Sequence, residues 1–250
     1  MKQHEWIAGL DRGLAILEGF DHATPRMTAT QAAERAGLTR SAARRYLLTL
    51  EHLGYLYRDG KQFGLTPRVL KVGWSYFESA QLPRLLLPFL QRVTARLNES
   101  VYVSVLDDHE LVFIARNGAT HVMTTGFVLG ARLQPHLASP GIVLLAHQEP
   151  EQVRAWLAQV PLTSFTPYTI MDWQMLYGEI EQARAAGYAV LEQQLQIGVR
   201  GIAIPLKNRA GQLVGAMSVS IPIGTESREA ALARVLPVLQ ETANALLNHL

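Results

Sequence analysis

The chain has no cysteine among its 250 residues. That excludes disulfides, thiolate metal sites and cysteine nucleophiles, and it fits a reducing cytoplasm. No apolar run approaches the about 20 residues that a membrane-spanning helix needs. Pro83, Arg84 and Pro88 interrupt the most apolar stretch, Leu82 to Leu90. The N-terminus lacks the basic, apolar, small-residue order of a signal peptide. Enzyme signatures are missing too: there is no Gly-x-Ser-x-Gly, P-loop, His-Glu-x-x-His or Gly-x-Gly-x-x-Gly. The 8 histidines lie far apart, with no short metal-ligand spacing. No catalytic residue, metal site or cofactor is expected, and an enzyme would need a site assembled only by the fold.

What is there describes an ordinary globular protein, with 48% hydrophobic and 18% charged residues. Its length suits one large or two modest domains. The net charge of +2 hides an asymmetry, because residues 1–80 hold 11 Lys/Arg against 8 Asp/Glu while residues 81–250 hold 12 against 13. Within 35–71, Arg35, Arg40, Arg44, Arg45, Arg58, Lys61, Arg68 and Lys71 face only Glu51 and Asp59. Such a cluster is the footprint of a polyanion partner. Its basic residues alternate with turn signals and a compact apolar pattern, which favours nucleic acid over a membrane surface.

Helical spacing of Ile7, Leu10, Leu14, Ile16, Leu17 and Phe20 predicts a first helix over 6–20. Thr28 or Thr30 can cap a short second helix, 31–35, and Gly37 suits the left-handed position after it. A third helix runs from about Arg40 to Leu53, with Thr39 as its cap. On it Arg40, Ser41 and Arg44 share one face, and Ala43, Leu47 and Leu50 another. Two helices joined by a short Gly-containing turn match a helix-turn-helix. Asp59-Gly60 between 55–58 and 62–65 signals a hairpin. Together these give a winged helix-turn-helix, with Arg58 and Lys61 on the wing. A bare basic helix would otherwise read as a solvated surface helix, so the neighbouring turn and wing decide the matter.

Thr66-Pro67 opens a linker helix, 67–81, whose apolar positions could also serve dimerisation. An amphipathic helix over 85–97 follows. Period-two alternation then marks strands at 101–106 and 111–115, with a third expected at 122–128. Residues 132–136 lead to helices over 140–147 and 150–157. Asp172 caps a helix that Gly187 stops, followed by strands at 188–193, 201–206 and 213–221 and a final helix over 229–250. This order describes an α+β domain built on one antiparallel sheet.

Taken in order, several stretches carry a resemblance that none carries alone: LDRGLAILEGF at 10–20, QAAERAGLTRSAARRYLLTLEHLGYL at 31–56, FGLTPRVLKVG at 63–73, VFIAR at 112–116, GARL at 130–133, GYAVLEQQLQIGVRGIAIPL at 187–206 and GAMSVSIP at 215–222. The chain resembles the IclR family of bacterial transcription regulators. Its RSAARRYLLTL wording is most similar to the subgroup governing catabolism of aromatic acids such as protocatechuate and 4-hydroxybenzoate. The resemblance implies a winged helix-turn-helix DNA-binding domain at 1–66, a linker helix at 67–81 and a GAF-like effector-binding domain at 82–250. It also implies a homodimer or tetramer on double-stranded operator DNA, answering to a small-molecule effector such as an aromatic acid. This chain departs from the family wording at Ile142, Leu191 and Gly201. Those changes remove a charge and two polar handles near the expected pocket, which suits a larger or more apolar ligand.

For DNA, Arg40 and Arg44 can donate paired bonds to guanine edges, and Ser41 can meet a base or a phosphate. Arg45 is divided between phosphate and a pairing with Glu51 or Glu34. Thr30 and Gln31, with Thr28, are phosphate candidates for which capping is an equal account. For the effector, Arg116 at a strand end can pair with a carboxylate or form a structural ion pair. His136 and Ser139 precede a helix, and Gln193, Gln194, Ser218 and Ser220 lie on segments that should approach one cavity. Met123, Phe127 and Tyr102 are apolar candidates for which core packing is the plainer role. Two alternatives stay open: a DNA-binding protein whose C-terminal domain serves only assembly, and a small-molecule enzyme with a basic helix.

Overall fold

The computed structural model describes residues 6–21, 23–79, 81–118, 127–247 and 249–250. The chain divides into two compact units, residues 1–79 and 80–250, so the linker helix goes with the first unit.

In the first unit, helix α1 (Ala8–Glu18) is followed by strand β1 (Arg26–Thr28), α2 (Ala29–Arg35), α3 (Arg40–His52) and the strands β2 (Leu56–Asp59) and β3 (Gln62–Leu65). A 3-10 turn, Pro67–Val69, leads into α4 (Leu70–Ser79). Thr28, not Thr30, starts α2: its hydroxyl accepts from the Gln31 N–H while the Gln31 side chain accepts from the Thr28 N–H. Gly37 takes φ +62°, and the Leu38 N–H reaches back to the Ala33 carbonyl at 2.8 Å, which closes the turn between the two helices. Ala32, Ala33, Ala43, Leu47 and Leu50 pack with Ile16, Met27, Leu56 and Phe63 in one core. Strand β1 is an addition to what the sequence pattern predicts. It pairs antiparallel with β3, Met27 opposite Phe63, giving the order β1-β3-β2.

The second unit opens with α5 (Gln81–Leu97), which starts earlier than its periodicity suggests. Pro83 lies in its first turn, where the missing N–H has no partner to lose. A six-stranded antiparallel sheet follows, in the order β6-β5-β4-β9-β8-β7. Its strands are β4 (Ser100–Asp107), β5 (Glu110–Asn117), β6 (Arg132–Leu133), β7 (Ala189–Glu192), β8 (Val199–Lys207) and β9 (Leu213–Pro222). Most of the strand expected at 122–128 falls outside the described residues, and the strand beside β5 is instead β6.

Alternation sends Val101, Val103, Ile202, Ile204, Met217 and Val219 to one face, against α5 and α9 (Arg228–Leu246). Tyr102, Phe113, Ala189, Leu191, Ala203 and Ala216 face the other way, against α6 (Ser139–Leu145), α7 (Pro150–Gln159) and α8 (Trp173–Ala186). This is the helix-flanked antiparallel arrangement expected. Gly141 fixes how α6 sits, because a Cβ there would lie 2.1 Å from the Pro135 carbonyl oxygen. Only glycine lets the Pro135–Leu137 turn fold onto the helix and bring Ser139 to the sheet.

Candidate functional site

On the first unit, Arg40, Ser41, Arg44 and Arg45 are all exposed on α3, while Ala43, Leu47 and Leu50 are buried. None of Arg40, Arg44 and Arg45 joins an ion pair among the described residues, so the pairing of Arg45 with Glu51 or Glu34 is not formed. Ser41 lies 3.2 Å from the Thr39 hydroxyl at the helix start. The wing's one carboxylate, Asp59, is tied to Arg26 at 3.0 Å, which removes a repulsive charge from that edge. Lys61 is exposed at the turn. Arg58 folds back, donating from Nε to the Gly60 carbonyl at 2.9 Å and lying over the Phe63 ring. Thr30 is exposed, whereas the Gln31 amide oxygen is engaged by both the Thr28 N–H and its hydroxyl.

The second unit holds a cavity of about 60 Å³ between the sheet and the start of α6. One water needs about 10–15 Å³ on such a measure, so there is room for a small molecule. Strand register builds it: Tyr102 lies opposite Ser218, Gly201 opposite Ser220, and Leu191 opposite Gly201, all on one face. The rings of Phe113 and Phe127 stack at 4.2 Å, and Tyr102 meets both edge-on at 5.6 and 5.8 Å. Across from them Ser139 is 1% exposed, and its hydroxyl has no hydrogen-bond partner. A buried hydroxyl left unpaired is costly, and a ligand is one way to satisfy it. Gly201 keeps that hydroxyl open, since a Cβ there would lie 2.7 Å from it. No described residue lining the cavity carries a formal charge.

The expected effector residues divide. Ser139, Gln193, Gln194, Ser218 and Ser220 line the cavity. The Gln194 side chain, however, is spent on the 165–171 segment: it accepts from the Ile170 N–H at 2.8 Å and donates to the carbonyls of Tyr168 and Glu192. Gln193, at φ +59°, accepts from the Gly198 N–H. Arg116 does not line the cavity. It donates to the Phe127 carbonyl at 3.0 Å, beside the Tyr102 ring. His136 is fully buried away from the lining, its Nε2 3.4 Å from the Thr163 carbonyl, and burial pushes its pKa below the usual value. Met123 lies outside the described residues. Of the three departures from the family wording, Leu191 and Gly201 line the cavity, whereas Ile142 is buried in α6. The aromatic wall was only partly legible: Tyr102 and Phe127 are among the apolar candidates for which core packing was the plainer role, and Phe113 was missed. The wall's signal was Tyr102, one aromatic facing away from its valine neighbours on β4.

A winged helix with unpaired cations, on a chain whose other unit holds a small-molecule cavity, defines the class of transcription regulators that join a DNA-binding unit to a sensing unit. The IclR helix-turn-helix domain model matches residues 9–60, and the model of the bacterial transcriptional regulator IclR C-terminal region matches residues 74–248. The chain belongs to the IclR family, a family of DNA-binding regulators rather than enzymes. The Pca operon regulatory protein of Acinetobacter baylyi is 38% identical, covering 99% of this chain and 91% of its own. The p-hydroxybenzoate hydroxylase transcriptional activator of the same organism is 37% identical, covering 99% and 93%. The crystal structure of a double mutant of the PobR inducer-binding domain from Acinetobacter, in complex with 3-hydroxybenzoic acid, matches with a TM-score of 0.64 at 31% identity, covering 68% of this chain and 100% of that one.

Proposed function

We propose that the protein senses a single-ring aromatic acid of the hydroxybenzoate type in the cavity of its second unit and thereby sets the occupancy of an operator for aromatic-acid catabolism. The observation that carries this reading is the cavity's lining, three packed rings on one side and the unpartnered Ser139 hydroxyl on the other. An aromatic ligand gains from stacked or edge contacts with Tyr102, Phe113 and Phe127. Its carboxylate or phenol gains from the hydroxyls of Ser139, Ser218 and Ser220, each bond to a charged group contributing about 1.5–3 kcal/mol. Gln194 acts as a support for this wall, and Arg116 acts through its field. The named relatives are a regulator of the Pca operon and a transcriptional activator of p-hydroxybenzoate hydroxylase, which supports the same class of effector.

On DNA, Arg40 and Arg44 read bases, with Ser41 beside them, while Thr30, Arg45, Arg58 and Lys61 meet phosphates. The protein works in the cytoplasm as a homo-oligomer, whose symmetry sets half-site spacing. Exposed Leu70 and Val72 on α4 offer apolar surface for that assembly. The effector shifts operator binding through unequal affinity for two arrangements of the protein.

Calorimetric titration of the full-length protein with 4-hydroxybenzoate and protocatechuate tests the reading. Saturable binding is expected, and Gly201→Val should weaken it about tenfold, since overpacking costs about 1–3 kcal/mol. No binding to either acid, or binding indifferent to Gly201→Val, contradicts it.

A further inference from the structure

The DNA-binding unit carries a second basic feature that the recognition face does not include. Arg12 of α1 and Arg45 of α3 line one groove of about 210 Å³, with Ala42, Tyr46 and Thr49 as its other walls. Both arginines are exposed, and neither joins an ion pair among the described residues. Tyr46 lies alongside α1 at contact distance: a Cβ at Gly9 would be 3.8 Å from its hydroxyl, and one at Gly13 would be 4.0 Å from its ring. The Thr49 hydroxyl is already donated to the Arg45 carbonyl at 2.9 Å. The donors left for an anion are thus two guanidiniums and the Tyr46 hydroxyl.

Position on the helix says what the anion is. Arg45 follows Arg44 by about 100° around α3, and Thr49 lies one turn further along the same flank. A helix with its side chains is about 10–12 Å across, and the major groove is about 12 Å wide. Side chains a quarter-turn from the base-reading residues therefore meet the sugar-phosphate walls. A guanidinium pair matches the paired oxygens of a phosphodiester better than any base edge.

We propose that Arg12 and Arg45, with the Tyr46 hydroxyl, form a phosphodiester-binding cleft between α1 and α3 that grips the DNA backbone beside the recognition helix. This rests on the reading of α3 as the DNA-facing helix. The cleft contributes affinity without sequence preference, because every step of the duplex presents the same phosphate.

The test is the salt dependence of operator binding by the full-length protein. Arg12→Gln and Arg45→Gln should each weaken binding to operator and to unrelated duplex by the same factor. The double variant should flatten the plot of log affinity against log salt by about 0.9 for each phosphate it no longer neutralises. Arg12→Lys, which keeps the charge, should retain the slope. An unchanged slope in the double variant, with Arg44→Ala still damaging operator binding, overturns the cleft and leaves the recognition helix standing. Unaltered operator binding in Arg40→Ala and Arg44→Ala overturns the recognition helix itself. Loss of transcriptional output in the double variant at unchanged DNA affinity would assign the cleft to an acidic protein partner and overturn the proposal.

Discussion

The two candidate sites are built on opposite terms. The surface proposed to face DNA gathers exposed, unpaired cations that sit within a few residues of one another on α3. The cavity gathers uncharged side chains, most of them buried or half-buried, from strands, a helix start and loops spread between Tyr102 and Ser220. A polyanion can be met by charge held in solvent, where keeping that charge costs little. A small aromatic ligand needs desolvated space, and an unpaired charge there would be expensive. Perturbing the first should change binding and leave the fold intact; perturbing the second should touch the fold itself.

Gly141→Ala should have the largest effect. Its Cβ would meet the Pro135 backbone at 2.1 Å, with no flexible side chain to give way. A loss of about 3 kcal/mol or more in urea unfolding is expected, at or beyond the upper end for an overpacked core. If the variant is as stable as the parent, α6 is not seated as described. Arg44→Ala should do the reverse: melting unchanged, and operator affinity lower by about 1–3 kcal/mol with relaxed preference at particular base pairs. A uniform loss across sequences would make Arg44 a phosphate-binding residue instead.

Acid should separate the sites more gently. His136 and His147, both in the second unit, are held below the ordinary imidazole pKa of 6.5, chiefly by burial. The unfolded chain takes up protons at about that value while the folded one stays neutral there. Their contribution is therefore complete above about pH 6.5 and is lost as the pH falls from there towards the depressed folded values. The urea midpoint should drop between pH 7.5 and 5.5, and His136→Gln should make the drop shallower. A midpoint that rises over this range would reverse the sign and contradict the burial of both rings.

How far the sequence carried this picture follows from the same contrast. Helix α3 was legible because its cap, its apolar stripe and its arginines are contiguous, and the wing because Asp59-Gly60 sits between short runs. Strand β1 was not, since three residues after Pro25 are too few for a period-two pattern and only pairing with β3 defines them. For the same reason β6, with two residues, was read as a lead-in to a helix. At the cavity, the segments holding Ser218 and Ser220 do approach one lining, as expected. Alternation could not show that Arg116 would be claimed by the Phe127 carbonyl, or that the Gln194 amide would be consumed by Tyr168, Ile170 and Glu192. Those outcomes depend on loops that arrive from elsewhere in the chain. Arg12 was overlooked because its partner in the groove lies on a different helix.

On the proposed function, one ligand in the second unit alters DNA binding by the first. Linkage makes it measurable from either side, because an effector that changes operator affinity must itself bind with a constant altered by the same factor on the DNA complex. Calorimetry of 4-hydroxybenzoate against the free protein and against the operator complex measures this directly. We expect two distinct dissociation constants whose ratio equals the change in operator affinity produced by saturating acid. Equal constants, with operator affinity unmoved, would contradict the account.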